Sequence, residues 1–154
     1  MNHWLLKSEP TSYSIADLKR DKCTAWTGVR NYQARNTMRD LMKVGDLCLF
    51  YHSNAEPPGV AGLCRVVRKA HADPTATDKK DEHFDPKSTK EEPIWMCVDV
   101  EFVEGFKEVV GLDAIKANPK LKDIMVAARG SRLSVQPVSG VHFREILAMA
   151  GSKA

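Results

Sequence analysis

The 154-residue chain has only four cysteines, Cys23, Cys48, Cys64 and Cys97, and none forms a CxxC pair, so zinc-ribbon spacing is excluded and no metal ligand set is expected. Its nine glycines compose neither a GxGxxG nor a GxxxxGK[ST] loop, and its five histidines fall into no HExxH pattern. The familiar nucleotide-cofactor enzymes and zinc peptidases are thereby disfavoured, and no cofactor is expected. No apolar run approaches the roughly 18 residues of a membrane-spanning helix. The N-terminus lacks a basic stretch before a long apolar one, so the expectation is a protein that stays where it is made. Cys48, Cys64 and Cys97 sit inside apolar strand-like runs as small buried hydrophobes, which implies a reducing cytosolic compartment.

A length of 154 residues suits one domain with a substantial core. The net charge of +3 is small because opposite regions cancel. Residues 1–70 and 112–154 are basic, whereas residues 71–111 are acidic. Such segregation permits an anionic partner on one face, and a charge-segregated solvated surface gives the same count.

Along the chain, His3 to Lys7 reads as a first strand ended by Pro10. Ser14 followed by Asp17 is a capping-box-like start for a short helix through Ile15, Leu18 and Lys19. Val29 to Met42 carries Ala34, Met38, Leu41 and Met42 at helical spacing, with Gly45 as its stop. Asp46 to His52 is a continuous apolar run, suited to a strand buried on both faces, and Val60 to Ala70 is its antiparallel return. Residues 71–93, acidic and poor in aliphatics, read as a long surface loop. Met96, Val98, Val100 and Phe102 alternate with Cys97, Asp99, Glu101 and Val103 as a strand with one buried face. Trp95 precedes it as either a partly exposed platform or an edge aromatic. Leu112 to Asn118 is a short helix, Leu133 to Val138 a strand at a sheet margin, and a terminal helix starts near Ser139 with Phe143, Ile146, Leu147 and Ala150 as its apolar stripe. About five strands interleaved with short helices, without a regular strand-helix repeat, describe a mostly antiparallel, barrel-like α+β domain over residues 1–154.

Three stretches carry the residue types of a binding site. Trp26 through Asn36 holds two aromatics, two arginines and two asparagines around a helix start, a mixture that can stack on a base, pair with its edge and contact phosphate. Tyr51-His52-Ser53-Asn54 brings polar groups out of a rigid strand, where His52 is a hydrogen-bond donor, a general base or simply a satisfied edge histidine. Arg129 through Pro137 combines arginines, serines and Gln136 beside Gly130 as an anion-binding loop or a solvated surface loop. Lys7-Ser8-Glu9 offers a proton-transfer pair, a base-edge clamp or a surface ion pair.

These motifs occur in an order that resembles the EVE domain family, which includes the thymocyte nuclear proteins and belongs to the PUA-like superfamily. The resemblance is carried by Trp4 to Pro10, Trp26 to Asn36, Phe50 to Asn54, Pro58 to Gly62, Val98 to Val100 and Arg132 to Val138. It implies a PUA-like pseudobarrel of mostly antiparallel strands flanked by short helices, and a non-catalytic module that accepts a modified nucleobase of DNA or RNA. The pocket candidates it implies are Lys7, Ser8, Glu9, Trp26, Arg30, Asn31, Tyr32, His52, Ser53, Arg132 and Ser134. Going beyond the resemblance, Trp26 and Tyr32 are assigned to stack on the base, Asn31, Ser8 and Ser53 to read its edge, and Arg30 and Arg132 to hold phosphates. The alternative is a hydrolase of the related ASCH type acting on RNA or a modified nucleoside, with Lys7, Glu9 and His52 as acid-base groups. A third reading, a protein-interaction module, rests on the acidic loop. No nuclear-type basic run is present, so a cytoplasmic protein is expected.

Overall fold

The computed structural model describes residues 1–129 and 132–154. In chain order its regular elements are β1 (His3–Ser8), α1 (Ile15–Asp21), β2 (Cys23–Ala25), α2 (Tyr32–Asp40), β3 (Leu47–His52), β4 (Gly59–Ala72), β5 (Met96–Gly111), α3 (Leu112–Ala117), β6 (Val135–Val138) and α4 (Gly140–Ala150). The six strands form one sheet in the order β2-β5-β4-β3-β1-β6, in which β1 and β3 pair in parallel and the other neighbours are antiparallel.

The central strands are apolar without interruption because both faces of the sheet are covered. From β1, Trp4 and Leu6 enter the core beneath α1 and α2, whereas Leu5 enters the one beneath α3 and α4. From β3, Cys48 and Phe50 go to the first face and Leu49 and Tyr51 to the second. Period-two geometry thus splits each continuous run between two layers.

The helix signals act where expected. Ser14 accepts from the Asp17 backbone N–H while the Asp17 carboxylate accepts from the Ser14 N–H, a complete capping box. Ser139 caps α4, and Gly151 ends it in the left-handed region at φ 63°. The helix expected over 29–42 is shorter, because the Asn31 side chain accepts from the Ala34 N–H and fixes the start at Tyr32. Its chain leaves the helix after Asp40, ahead of Gly45. The short edge strand β2 has no sequence signal of its own and forms by pairing with β5.

Gly62, like Gly59, marks a tight crossing of β4. A methyl group at Gly62 would press on the Glu104 carbonyl oxygen and the Ile15 side chain. Since the carbonyl belongs to the β5 ladder and cannot yield cheaply, Gly62→Ala is expected to lose about 2–3 kcal/mol of stability, measured by urea unfolding.

Candidate functional site

An open groove of about 690 Å³ lies where the end of β1, the segment after β2 and the long loop after β4 converge. Lys7 and Ser8 come from β1, Tyr13 from the turn before α1, Thr24 through Arg30 from β2 and its continuation, and Ser134 from the approach to β6. The outer wall is Thr75 and Lys80 to His83.

Trp26 is pinned first by its backbone, whose N–H donates to the Val98 carbonyl at 2.8 Å. Its ring stands nearly perpendicular to Phe50 at 5.4 Å and to Tyr13 at 6.5 Å, leaving 7% of the residue exposed. It is at once a core residue and a wall of the groove. Tyr13 donates to Asp21 at 2.9 Å, and burial, reinforced by that bond, pushes its pKa up to about 12, so the phenol stays neutral. Ser8 Oγ donates to the Tyr13 carbonyl at 2.6 Å, and the Lys7 N–H donates to the Ser134 carbonyl at 2.8 Å. These bonds set the groove's floor. Burial lowers the pKa of the Lys7 ammonium, whose Nζ lies 5.8 Å from the centre of the Tyr51 ring.

The outer wall is held by one buried ion pair. Asp73, fully buried, accepts from Arg30 Nη1 at 3.0 Å, the Gly28 N–H at 2.8 Å, the Thr75 N–H at 2.8 Å and the Thr75 hydroxyl at 2.6 Å. Burial alone would raise the pKa of Asp73, but these donors outweigh it and hold the carboxyl below its ordinary value. Arg30 in turn donates from Nε and Nη2 to the His83 carbonyl at 3.0 and 2.7 Å, and from Nη2 to Thr75 Oγ1 at 3.0 Å. Gly28 adopts φ 82°, and its missing side chain leaves room for the His83 ring. Farther along the loop, Trp95 donates to Asp85 at 2.7 Å, and the Ile94 N–H donates to Ser88 Oγ at 2.9 Å.

Five of the sequence candidates, Lys7, Ser8, Trp26, Arg30 and Ser134, line this groove. The other six do not. Asn31 is spent on capping α2, and Tyr32 lies outside, 57% exposed, stacked on Trp95 at 4.8 Å with the Arg35 guanidinium 4.9 Å from its ring. His52 Nε2 accepts from the Ile15 N–H at 3.1 Å, and burial lowers its pKa, so the ring is neutral with its proton on Nδ1. Ser53 binds back to the Ser8 carbonyl through its N–H, and Glu9 accepts from Asn54 Nδ2 at 2.6 Å on the surface. Arg132 is exposed and does not line the groove among the described residues.

Several expectations change accordingly. Arg30 has no guanidinium N–H left for a phosphate, because Asp73, Thr75 and the Val29 and His83 carbonyls take all five. Gln136, expected in an anion-binding loop, is buried in β6 and donates to the Leu133 carbonyl, while Gly130 and Ser131 lie outside the described residues. Trp95 is buried, not an exposed platform. The acidic loop is no loose surface: Asp73, Asp81 and Asp85 turn inward onto Arg30, His83 and Trp95. Sequence reasoning missed Tyr13, Thr24, Gly28, Thr75 and Lys80 to His83 as lining residues. The available signal was Gly28, whose left-handed backbone between Trp26 and Arg30 lets another segment approach.

The model of the EVE domain family matches residues 2–149. Human thymocyte nuclear protein 1 is 40% identical over 96% of this chain and 73% of its own length. A crystal structure of the human THYN1 protein in complex with DNA containing 5-methylcytosine superposes with a TM-score of 0.91 at 38% identity, covering all of both chains. A protein of Leishmania major gives 0.94 at 51% identity, covering 98% of this chain and 95% of its own. An ASCH protein of Zymomonas mobilis reaches 0.56 at 8% identity and shares the fold alone. The expectation of a cytoplasmic protein does not stand, because the human relative and others of 40–42% identity are named as nuclear proteins and a missing basic run carries no address. The PUA-like α+β architecture stands, with six strands among the described residues where about five were expected. By the extent of these matches, the chain belongs to the EVE domain family.

Proposed function

We propose that this chain is a non-catalytic nucleic-acid-binding module that receives one modified base of DNA, of the 5-methylcytosine kind, in the groove beside Trp26. The observation that carries the reading is the groove itself, about 690 Å³ with an indole wall, in a chain that matches the human DNA-bound relative over its full length. That volume lies within the ordinary range for small-molecule sites and admits a base with part of its sugar. Trp26 and the neutral Tyr13 supply aromatic surface, Ser8 and Thr24 supply polar groups for a base edge, and Lys7 and Lys80 take the phosphate role expected of Arg30 and Arg132. A paired base must leave its duplex to enter, at a cost of a few kcal/mol.

The hydrolase alternative lacks an assembled acid-base set. Of Lys7, Glu9 and His52, Lys7 alone lines the groove, and the acceptor nitrogen of His52 is taken by Ile15.

The test is a panel of oligonucleotides differing in one base, read by fluorescence anisotropy. Burying one methyl group contributes about 0.8 kcal/mol, so methylated DNA is expected to bind about fourfold tighter or better than unmodified DNA. RNA of the same sequence forms a separate arm, since the same groove chemistry suits either polymer. Equal affinity for modified and unmodified strands throughout the panel would overturn the proposal.

A further inference from the structure

Behind the wall of the groove, where β4 runs out into the long loop, three potential ligands meet on two paired strands. His71 stands directly opposite Cys97 in the β4–β5 ladder, and Asp99 follows Cys97 by two residues on the same face. Between Arg68 and His71 the register slips: Arg68 pairs with Asp99 and His71 with Cys97, so β4 spends an extra residue there. A bulge of this kind re-aims a side chain, and here both Arg68 and His71 reach the Asp99 carboxylate. His71 Nε2 lies 2.8 Å from Asp99 Oδ1 and 3.6 Å from Cys97 Sγ, and one donor atom from each residue falls within 4.8 Å of the others.

We propose that His71, Cys97 and Asp99 form a binding site for a borderline-soft divalent metal ion, zinc in the first instance. Zinc takes sulfur at about 2.3 Å and nitrogen or oxygen at about 2.0–2.1 Å, so tetrahedral ligation sets nitrogen and sulfur about 3.6 Å apart, and nitrogen and oxygen about 3.3 Å apart. The imidazole and thiol already stand at the first spacing, but Sγ lies to the side of the ring, so the imidazole has to turn before Nε2 faces a metal held between sulfur and carboxylate. The carboxylate has to retreat by about half an ångström to reach the second, which one side-chain rotation supplies. A thiolate, an imidazole and a carboxylate together select zinc-like ions over magnesium or calcium, which prefer oxygen alone. One thiolate and one carboxylate neutralise a divalent charge. Arg68 Nη1, 3.9 Å from Asp99, is on a largely exposed side chain and can swing aside.

Binding balances as follows: the thiol proton of Cys97 leaves to solvent, the imidazole proton moves from Nε2 to Nδ1, and three coordinate bonds form, with water as the fourth ligand on the side where His71 and Asp99 reach the surface. The sequence expectation of no metal ligands rested on spacing along the chain. These ligands are neighbours across a ladder, and no linear motif records them. Nor does the trio resemble a nucleophile with its base. Sγ lies 3.6 and 3.8 Å from the two ring nitrogens, so it addresses the imidazole from the side, with neither ring lone pair aimed at it.

The site is tested on the full chain stripped with EDTA and titrated with Zn²⁺ against a chromogenic chelator, then with Co²⁺ alone. One equivalent is expected to bind in the micromolar range or tighter, and cobalt is expected to show a sulfur-to-metal charge-transfer band. Cys97→Ser should abolish the band, whereas Cys23→Ser, altering the exposed cysteine of β2, should leave it intact. His71→Gln and Asp99→Asn, at partly exposed positions, should weaken Zn²⁺ binding at least about tenfold while the metal-free proteins unfold near the parental temperature. The proposal is overturned by absence of saturable 1:1 binding. It is equally overturned if the band survives Cys97→Ser, or if His71→Gln and Asp99→Asn bind zinc like the parent.

Discussion

Asp73→Ala is expected to lose about 3–5 kcal/mol of folding stability and, with it, the groove's outer wall, because it removes one partner of a buried ion pair and leaves the other uncompensated. Asp73 is fully buried and Arg30 only 21% exposed, so little water is at hand to replace the lost carboxylate. The same substitution strips acceptors from the Gly28 N–H, the Thr75 N–H and the Thr75 hydroxyl. Each donor left without a partner adds to the loss. Asp73→Asn is the informative companion, since it keeps the shape and one carbonyl oxygen while removing the charge. The pH dependence has a definite sign. Asp73 has a depressed pKa in the folded state, so its contribution is present above the unfolded carboxyl pKa of about 3.9 and is lost as pH falls through the lower folded value. Urea midpoints measured from neutral to strongly acid pH should therefore fall less steeply in Asp73→Asn than in the parent protein. An unchanged acid limb, or a loss below about 1 kcal/mol for Asp73→Ala, would show that the wall is held by other contacts.

That ion pair also explains why part of the site was illegible in the sequence. Arg30 reads as a free cation beside aromatics, the mixture of a phosphate contact, until its partner is known, and the partner is 43 residues away in a segment that reads as solvated. Local patterns identified what local forces decide. The Ser14–Asp17 capping box, the short helix after Leu112 and the start of α4 at Ser139 were all visible, because each is settled within a turn or two of chain. The doubly buried β3 was visible as well, since a strand covered on both faces has no polar positions to interrupt it. His52 and Asn31 were legible as polar groups at element ends, but their acceptors serve backbone N–H groups, of Ile15 and Ala34, before any ligand. Tyr32 shows the limit of spacing arguments. Six residues from Trp26, it begins α2 and stacks on Trp95 outside the groove, so the two rings expected to stack on one base do not share it. Charge division along the chain was informative in a sense opposite to the first reading. The acidic segment does not merely offset the basic ones; it folds onto them and builds the wall of the groove.

Trp26 is where stability and recognition meet, and its substitution separates the two. Truncation to alanine should remove about 3–5 kcal/mol of core packing against Phe50 and Tyr13, so a loss of DNA binding in Trp26→Ala would say little about contact with a base. Trp26→Phe retains an aromatic ring in the same slot while shortening the wall of the groove. A base stacked on an open aromatic face gains about 1–3 kcal/mol. With 7% of Trp26 exposed, the strip that reaches the groove is narrow, and the lower part of that range applies. Trp26→Phe should therefore bind 5-methylcytosine DNA about tenfold more weakly than the parent, a change of about 1.4 kcal/mol, with a thermal midpoint lowered by only a few degrees. Unmodified DNA, held chiefly through phosphates by Lys7 and Lys80, should lose much less, so the preference for the methylated strand shrinks toward unity. Salt supplies the internal control. If Trp26 contacts the base and the lysines contact phosphate, Trp26→Phe leaves the slope of affinity against salt unchanged, whereas Lys80→Gln reduces it by about one. Equal weakening toward methylated and unmethylated DNA would assign Trp26 to the core alone and move the reading of the methyl group to Tyr13 or to the His83 wall.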